Sequence, residues 1–373
     1  MKKSSLPKLI FASPETNADL LYATRFFAPD PFLFLEYKGR RVIVLSDLEV
    51  DRGRKQAQVD DVLALSEERK RLGLGERAPM AQVIAGFLRA RRIPRVAVPA
   101  SFPLGLAQQL NGSDIRTTPR DGMFYPEREA KAERELELIR RALEMTAAGL
   151  KRGLAVLRAS EIGRKNVLRW AGRVLTAEKL RAEIESAILH AGGVATNTIV
   201  AGGEQACDPH ERGSGPLEAH SLIILDVFPR DAKSGYFGDM TRTVVRGRAT
   251  DAQRRLWNTV KQGQARALKA IEAGAHGNAI EKDVKAFFAR EGYPMEQHDG
   301  RWRGMFHGLG HGLGLELHEH LRMSRTKLKP GQVFTVEPGL YWPGLGGARE
   351  EDVVVVAEGG CRMLSRLPKT LEI

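Results

Sequence analysis

Cysteine is scarce in this chain: Cys207 and Cys361 are the only two in 373 residues, and they lie far apart. That argues against a disulfide-stapled secreted scaffold and against a zinc–thiolate site. Long apolar runs are missing too. No stretch approaches the roughly 18 uncharged apolar residues that cross a bilayer. The start Met1-Lys2-Lys3 is followed by an apolar patch of only Leu9-Ile10-Phe11-Ala12, with Pro7 and Lys8 before it. A leader peptide needs an apolar core of about 7–15 residues, so none is expected and the protein reads as cytoplasmic. No low-complexity tract or internal repeat stands out. A local excess of positive charge is also lacking. The net charge is +12, but residues 1–125 hold 20 basic and 14 acidic side chains and residues 126–373 hold 38 and 32. A surplus spread this evenly is a solvated surface, and neither a nucleic-acid nor a membrane partner is expected.

The length is more than one ordinary domain needs, and two domains are expected: residues 1–125 and residues 126–373. The first reads as a small α/β unit, with strands at 32–35, 41–46 and 95–98 and a helix at 80–91. The stretch 117–126, with two prolines and a glycine, reads as a linker. Beyond it, Leu136, Ile139, Leu143 and Leu150 recur at helical spacing and predict a long amphipathic helix over 127–157. Further helices are expected at 177–191, 251–273 and 279–291. Strands are expected at 222–228, 241–246, 333–337 and 352–357. The second domain is therefore α+β.

Four of the nine histidines fall in His307-Gly-Leu-Gly-His311-Gly-Leu-Gly-Leu-Glu-Leu-His318-Glu-His320. Glycines at 308, 310, 312 and 314 permit close approach and unusual dihedrals around His311. Their spacing is not the G-x-G-x-x-G of a dinucleotide site, and HExxH is absent. Alone, this segment could be a glycine-rich surface loop with incidental histidines. Four carboxylates change the balance. Asp226 ends the apolar run 222–225, Asp239 precedes the strand at 241–246, Glu337 ends the strand at 333–337, and Glu351 directly precedes the run 353–356. Acids at the ends of buried strands need partners, because an unpaired buried charge is costly. Carboxylates with an imidazole suit Mn²⁺, Co²⁺ or Zn²⁺. Four carboxylates exceed what one catalytic ion needs, so two ions are expected.

In this order the motifs resemble those of the pita-bread metallopeptidases, which include prolidase, Xaa-Pro aminopeptidase, creatinase and methionine aminopeptidase. The residues that carry the likeness are Asp226, Gly-Asp239-x-Thr-Arg-Thr, Gly-His311-Gly-x-Gly, Glu337-Pro-Gly and Arg349-x-Glu351. The resemblance covers residues 126–373, and more weakly the creatinase-type domain at 1–125. It implies a pita-bread catalytic fold beside a smaller α/β N-terminal domain. It also implies that two divalent ions, manganese first and cobalt or zinc as alternatives, are held by Asp226, Asp239, His311, Glu337 and Glu351, with Asp239 and Glu351 bridging. Glu337 would be the general base. His318 would steady the oxyanion, and His210 would be a second substrate-side histidine. His307 and Arg349 would orient the ligands. The implied activity is hydrolysis of the bond before a proline at the second position of a peptide, by a hydroxide shared between the ions, in a homodimer.

Asp226 and Asp239 are thirteen residues apart, more than prolidase-like members usually show, with an insertion at 229–233. Asp231 inside it competes for the first ligand position; Asp226 is preferred because a strand end is more rigid than a loop tip. Glu350 similarly competes with Glu351, and His320 is a weaker candidate than His318. The alternatives to an aminopeptidase are a Xaa-Pro dipeptidase, a metal-free creatinase-like C–N hydrolase, and a ligand-depleted binding module for protein or nucleic acid. A candidate at every ligand position argues against the last two.

Overall fold

The structure, a computed structural model, describes residues 6–325 and 327–373. Met1-Lys2-Lys3 lies outside them. The described residues form two compact units that divide between Arg128 and Glu129.

The first unit is built on a six-stranded sheet in the order Asp61–Ala64, Arg40–Leu45, Phe32–Tyr37, Lys8–Ala12, Arg95–Pro99, Arg116–Arg120. Side chains alternate across it, as period-two geometry requires. Leu33, Leu35, Val42 and Val44 face one apolar core together with Ile84, Phe87 and Leu88 of helix Met80–Ala90. Phe32, Phe34, Ile43 and Leu45 face another with Leu20 and Ala23 of helix Ala18–Thr24. The short patch around Leu9 is the central strand Lys8–Ala12. One expectation is corrected here. Residues 116–120 are not linker but the edge strand Arg116–Arg120, parallel to Arg95–Pro99. Pro119 is tolerated because an edge strand leaves one row of backbone groups unpaired.

The second unit interleaves sheets and helices. A three-stranded antiparallel sheet runs Ile199–Gly202, Leu222–Val227, Met240–Val245. A five-stranded one runs Glu319–Arg322, His311–Gly312, Val333–Val336, Asp352–Ala357, Gly360–Met363. A hairpin, Gly339–Trp342 with Gly346–Arg349, lies in sequence between Val333–Val336 and Asp352–Ala357. Helix Asp251–Ala270 begins with a capping box, in which Thr250 Oγ1 accepts from Gln253 N–H and Gln253 returns a bond to Thr250 N–H. It buries Leu256, Trp257 and Val260 in a core shared with Val284 and Phe288 of helix Gly277–Arg290 and with Phe334, Val336, Leu340 and Val354. Each such fully buried side chain contributes about 1.5–3 kcal/mol.

The long helix is Glu133–Ala159, starting later than its apolar period suggested. The residues before it are engaged otherwise: Ala130 bridges Gln332, and Lys131 N–H donates to Gly331 O at 2.8 Å. Among the described residues no helix is long and apolar enough to cross a membrane.

Candidate metal centre

Strand ends carry the site. Leu222–Val227 is buried along its whole length, and its pairing sets Asp226 opposite Ile199 on one side and Thr241 on the other. Asp239 directly precedes Met240–Val245. Glu337 follows Val333–Val336 and is tied back by its N–H to Leu309 O at 2.9 Å. Glu351 sits between Gly346–Arg349 and Asp352–Ala357, its N–H donating to Thr241 O at 3.1 Å. His311 is anchored by its N–H to Thr335 Oγ1 at 3.0 Å. Packing this tight needs glycine: a Cβ on Gly310 would lie 1.9 Å from Thr335 O. None of Gly308, Gly310, Gly312 and Gly314 has positive φ, so close approach and not unusual dihedrals explains Gly310, Gly312 and Gly314, while Gly308 has room for a Cβ.

The structure places Asp226, Asp239, Glu337, Glu351, His210, His307, His311, His318 and Arg349 on the wall of one cavity of about 570 Å³. Ligand atoms of Asp239, His311 and Glu351 lie within 4.8 Å of one another. His311 Nε2 is 3.6 Å from Asp239 Oδ2 and 3.5 Å from Glu337 Oε1. The competitors lie elsewhere. Asp231 is fully buried, and its carboxylate accepts from Lys233 N–H and Ser234 Oγ, organising the inserted turn. Glu350 accepts from Trp257 Nε1 at 2.6 Å, and its neighbour Arg242 lies 3.9 Å away. His320 is exposed on strand Glu319–Arg322 and is not on the cavity wall.

The donor set fits a divalent cation on the structure's own terms. Asp226 Oδ1 and Asp239 Oδ1 are buried with no hydrogen-bond partner among the described residues. Burial, then repulsion from Glu351, Asp226 and Glu337, pushes the Asp239 carboxyl well above the usual range. Burial, then Glu337 and Asp226, does the same to Glu351, and burial pushes Glu337 up to about 7. Carboxylates crowded so that each disfavours the charge of the next need a cation between them. His311 is held down to about 3, first by burial and then by His318, so its imidazole is neutral. Its Nδ1–H donates to Gly312 O at 3.2 Å, which leaves the Nε2 lone pair facing the acids. With a neutral imidazole the Nε2–carboxylate contacts are not ion pairs, and their spacing suits ligands of a shared cation.

Behind the acids lies a layer that the sequence reading quoted only in part. In Asp239-x-Thr241-Arg242-Thr243 the side chains alternate. Thr241 Oγ1 donates to Glu351 Oε2 at 2.7 Å. Thr243 Oγ1 donates to Arg349 O and accepts from Arg349 N–H. Arg242 donates to Glu351 O and to Asp352 Oδ1. Tyr341 was missed. Its signal is the alternation after Glu337-Pro-Gly339, which turns residue 341 to the same face as the glycine. Arg349 Nη2 donates to Asp226 Oδ2 and Nη1 to Tyr341 Oη, each at 2.8 Å. His307, held down to about 3 chiefly by burial, donates Nδ1–H to Gly308 O. Its Nε2 must then accept from Tyr341 Oη, 2.8 Å away. Tyr341→Phe would leave Arg349 Nη1 and His307 Nε2 unpaired. The expected result, read by melting and by steady-state kinetics, is a stability loss of about 1–3 kcal/mol and an activity loss of about 10–100-fold. A variant that melts lower with unchanged activity would remove Tyr341 from the site.

A cage of four carboxylates and an imidazole at strand ends, beside an oriented arginine and two exposed histidines, defines a metallohydrolase. Residues 137–358 match the model of metallopeptidase family M24, and the chain belongs to that family. It is 33% identical over 181 residues to a Xaa-Pro dipeptidase of Pyrococcus furiosus; the match covers 48% of this chain and about half, 49%, of that relative. It is 27% identical over 287 residues to a Xaa-Pro dipeptidase of Pyrococcus horikoshii, with 75% of each chain covered. Among solved structures, an X-Pro aminopeptidase from Thermotoga maritima superposes with a TM-score of 0.83 at 24% identity, covering 99% of this chain and 98% of that one. The last likeness shows the pita-bread fold.

Proposed function

We propose that the protein hydrolyses the peptide bond before a proline at the second position, as a Xaa-Pro aminopeptidase. The observation that carries the reading is the convergence of Asp226, Asp239, His311, Glu337 and Glu351 on one cavity in which two buried carboxylate oxygens lack hydrogen-bond partners among the described residues. These five would hold two divalent ions, manganese first. Such ions supply Lewis-acid polarisation of a carbonyl and a more acidic water. The protein's own residues do the rest. Glu337, joined to Thr335 Oγ1 at 3.3 Å, takes the proton of the attacking water and passes it to the leaving nitrogen. His318 and His210, exposed on the cavity wall, reach the carbonyl oxygen and the substrate backbone. Arg349 fixes Asp226. Ile199, Phe228, Phe306 and Leu317 give the same cavity an apolar side for the proline ring. The family resemblance adds a homodimer to this reading.

A dipeptidase is the second reading, and Arg322 favours it. This guanidinium is exposed on the cavity wall. It is complementary to the free carboxylate of a two-residue substrate. The relatives named Xaa-Pro dipeptidase point the same way. The test is a Xaa-Pro dipeptide against a Xaa-Pro-Xaa tripeptide, with chelator-stripped enzyme and with Mn²⁺ restored. Cleavage that returns only with metal supports the peptidase. Arg322→Ala is expected to raise KM for the dipeptide about 10-fold or more and to spare the tripeptide. Equal effects on both would remove Arg322 from carboxylate recognition, and no cleavage of either would overturn the substrate class.

A further inference from the structure

Lys131 lies outside the cavity, yet it joins two of the segments that build it. Its backbone is stitched to the approach of strand Val333–Val336, which leads to Glu337: Lys131 N–H donates to Gly331 O, and Ala130 bridges Gln332. Its side chain goes the other way. Lys131 Nζ is 2.7 Å from Glu319 Oε2, with the two side chains 3% and 1% exposed. Glu319 Oε1 accepts the N–H of Leu315 at 3.2 Å, closing the loop 315–319 on itself with His318 inside it. Gly314 makes the room: a Cβ there would lie 2.4 Å from Glu319 Oε1 and 3.1 Å from Lys131 Cε. The carbonyl of Gly314 in turn accepts from Phe237 N–H at 2.8 Å, on the segment that leads into Asp239.

His318 itself is exposed, with its ring edge-on to that of His311 at 4.3 Å between centroids. A solvent-facing imidazole on a loop has several rotamers and backbone positions open to it. The residue next to it, Glu319, is buried and held from two sides. A buried ion pair gains little stability over an apolar pair of the same volume, because desolvation offsets the attraction. A geometry in which one carboxylate is held from two sides is what an apolar pair would not supply.

We propose that Lys131 and Glu319 form a positioning pair, which fixes the 314–319 loop relative to the Glu337 strand and so sets His318 at the reacting carbonyl. The proposal rests on the peptidase reading for the role of His318. Either single neutralisation strands a buried charge and threatens the fold, so the informative variant is the double change Lys131→Met/Glu319→Gln. Gln keeps an acceptor for Leu315 N–H.

The expected result is a kcat lower by about 10–100-fold with KM changed less than about 3-fold, since misplacement of a group by about 1 Å costs on that order. Metal content should match the wild type, and amide hydrogen exchange of residues 314–319 should quicken. In a His318→Ala background the same double change should alter kcat by less than about 2-fold, because coupled residues do not add. A merely structural pair would lower the melting temperature and add its full loss to that of His318→Ala; that outcome overturns the proposal, as does an unchanged kcat. If the wild-type protein cleaves neither peptide, the peptidase reading fails on its own. The exchange measurement then decides the pair: selective loosening of 314–319 supports it, and an unchanged pattern overturns it.

Discussion

Glu337→Gln is expected to lower kcat by about 10²–10⁴-fold, the range that a positioned general base supplies, while KM for the same peptide stays within about 3-fold. A thousandfold is about 4 kcal/mol of transition-state stabilisation. Gln retains an oxygen facing His311 and Thr335, so the change removes a proton acceptor while preserving shape. Glu350→Gln is the matched control. Glu350 is also fully buried, and burial pushes it up to about 7 as well, but it accepts from Trp257 and is not on the cavity wall. Its neutralisation should leave kcat within about 3-fold. Metal analysis accompanies both, since Glu337 is also read as a ligand. A Glu337→Gln enzyme that holds two ions and loses kcat has lost the base. One that holds fewer ions has lost the cage first. Retained kcat with full metal would remove Glu337 from proton transfer.

What could be read in the chain beforehand was what repeats locally or sits at a local boundary. Apolar runs ending in an acid marked Asp226 and Glu337, and a run preceded by one marked Glu351, since a strand's burial and both its ends are written in neighbouring residues. The helix expected at 251–273 is Asp251–Ala270, and the Thr250–Gln253 capping box that fixes its start is itself a local signal. Pro119 misled, because proline is a turn signal in sequence and an edge-strand residue in space. The start of Glu133–Ala159 was set by tertiary contacts of Ala130 and Lys131 that no periodicity encodes. The supporting layer was least legible. Thr241 meets Glu351 across 110 positions and Lys131 meets Glu319 across 188, and such pairs leave no spacing to read. Ligand types are recognisable because few residues do that chemistry. The groups that orient them are ordinary threonines, a tyrosine and a lysine.

The metal-free protein should grow less stable, relative to the loaded one, as pH rises. Asp239, Glu337 and Glu351 are all raised in the folded state, chiefly by burial. Between the ordinary carboxylate range and these raised values the folded chain holds protons that the unfolded chain has released, so stability falls with increasing pH. For Glu337, a rise from 4.5 to about 7 corresponds to on the order of 3 kcal/mol. His307 and His311, held down to about 3 by burial, act in the opposite sense: they destabilise as pH falls below about 6.5. Above that pH they are silent and the carboxylates act unopposed. A cation in the cage cancels the repulsion, and its binding becomes folding free energy. Melting temperatures of stripped and Mn²⁺-loaded protein should therefore diverge from pH 6.5 to pH 8, with parallel curves counting against the cage. The two experiments meet in one variant. Stripped Glu337→Gln should melt higher than stripped wild type at pH 8, because a buried carboxylate has been neutralised, and the order should reverse once metal is added. Stability given up in the empty site is then the measure of what the acids are there to bind.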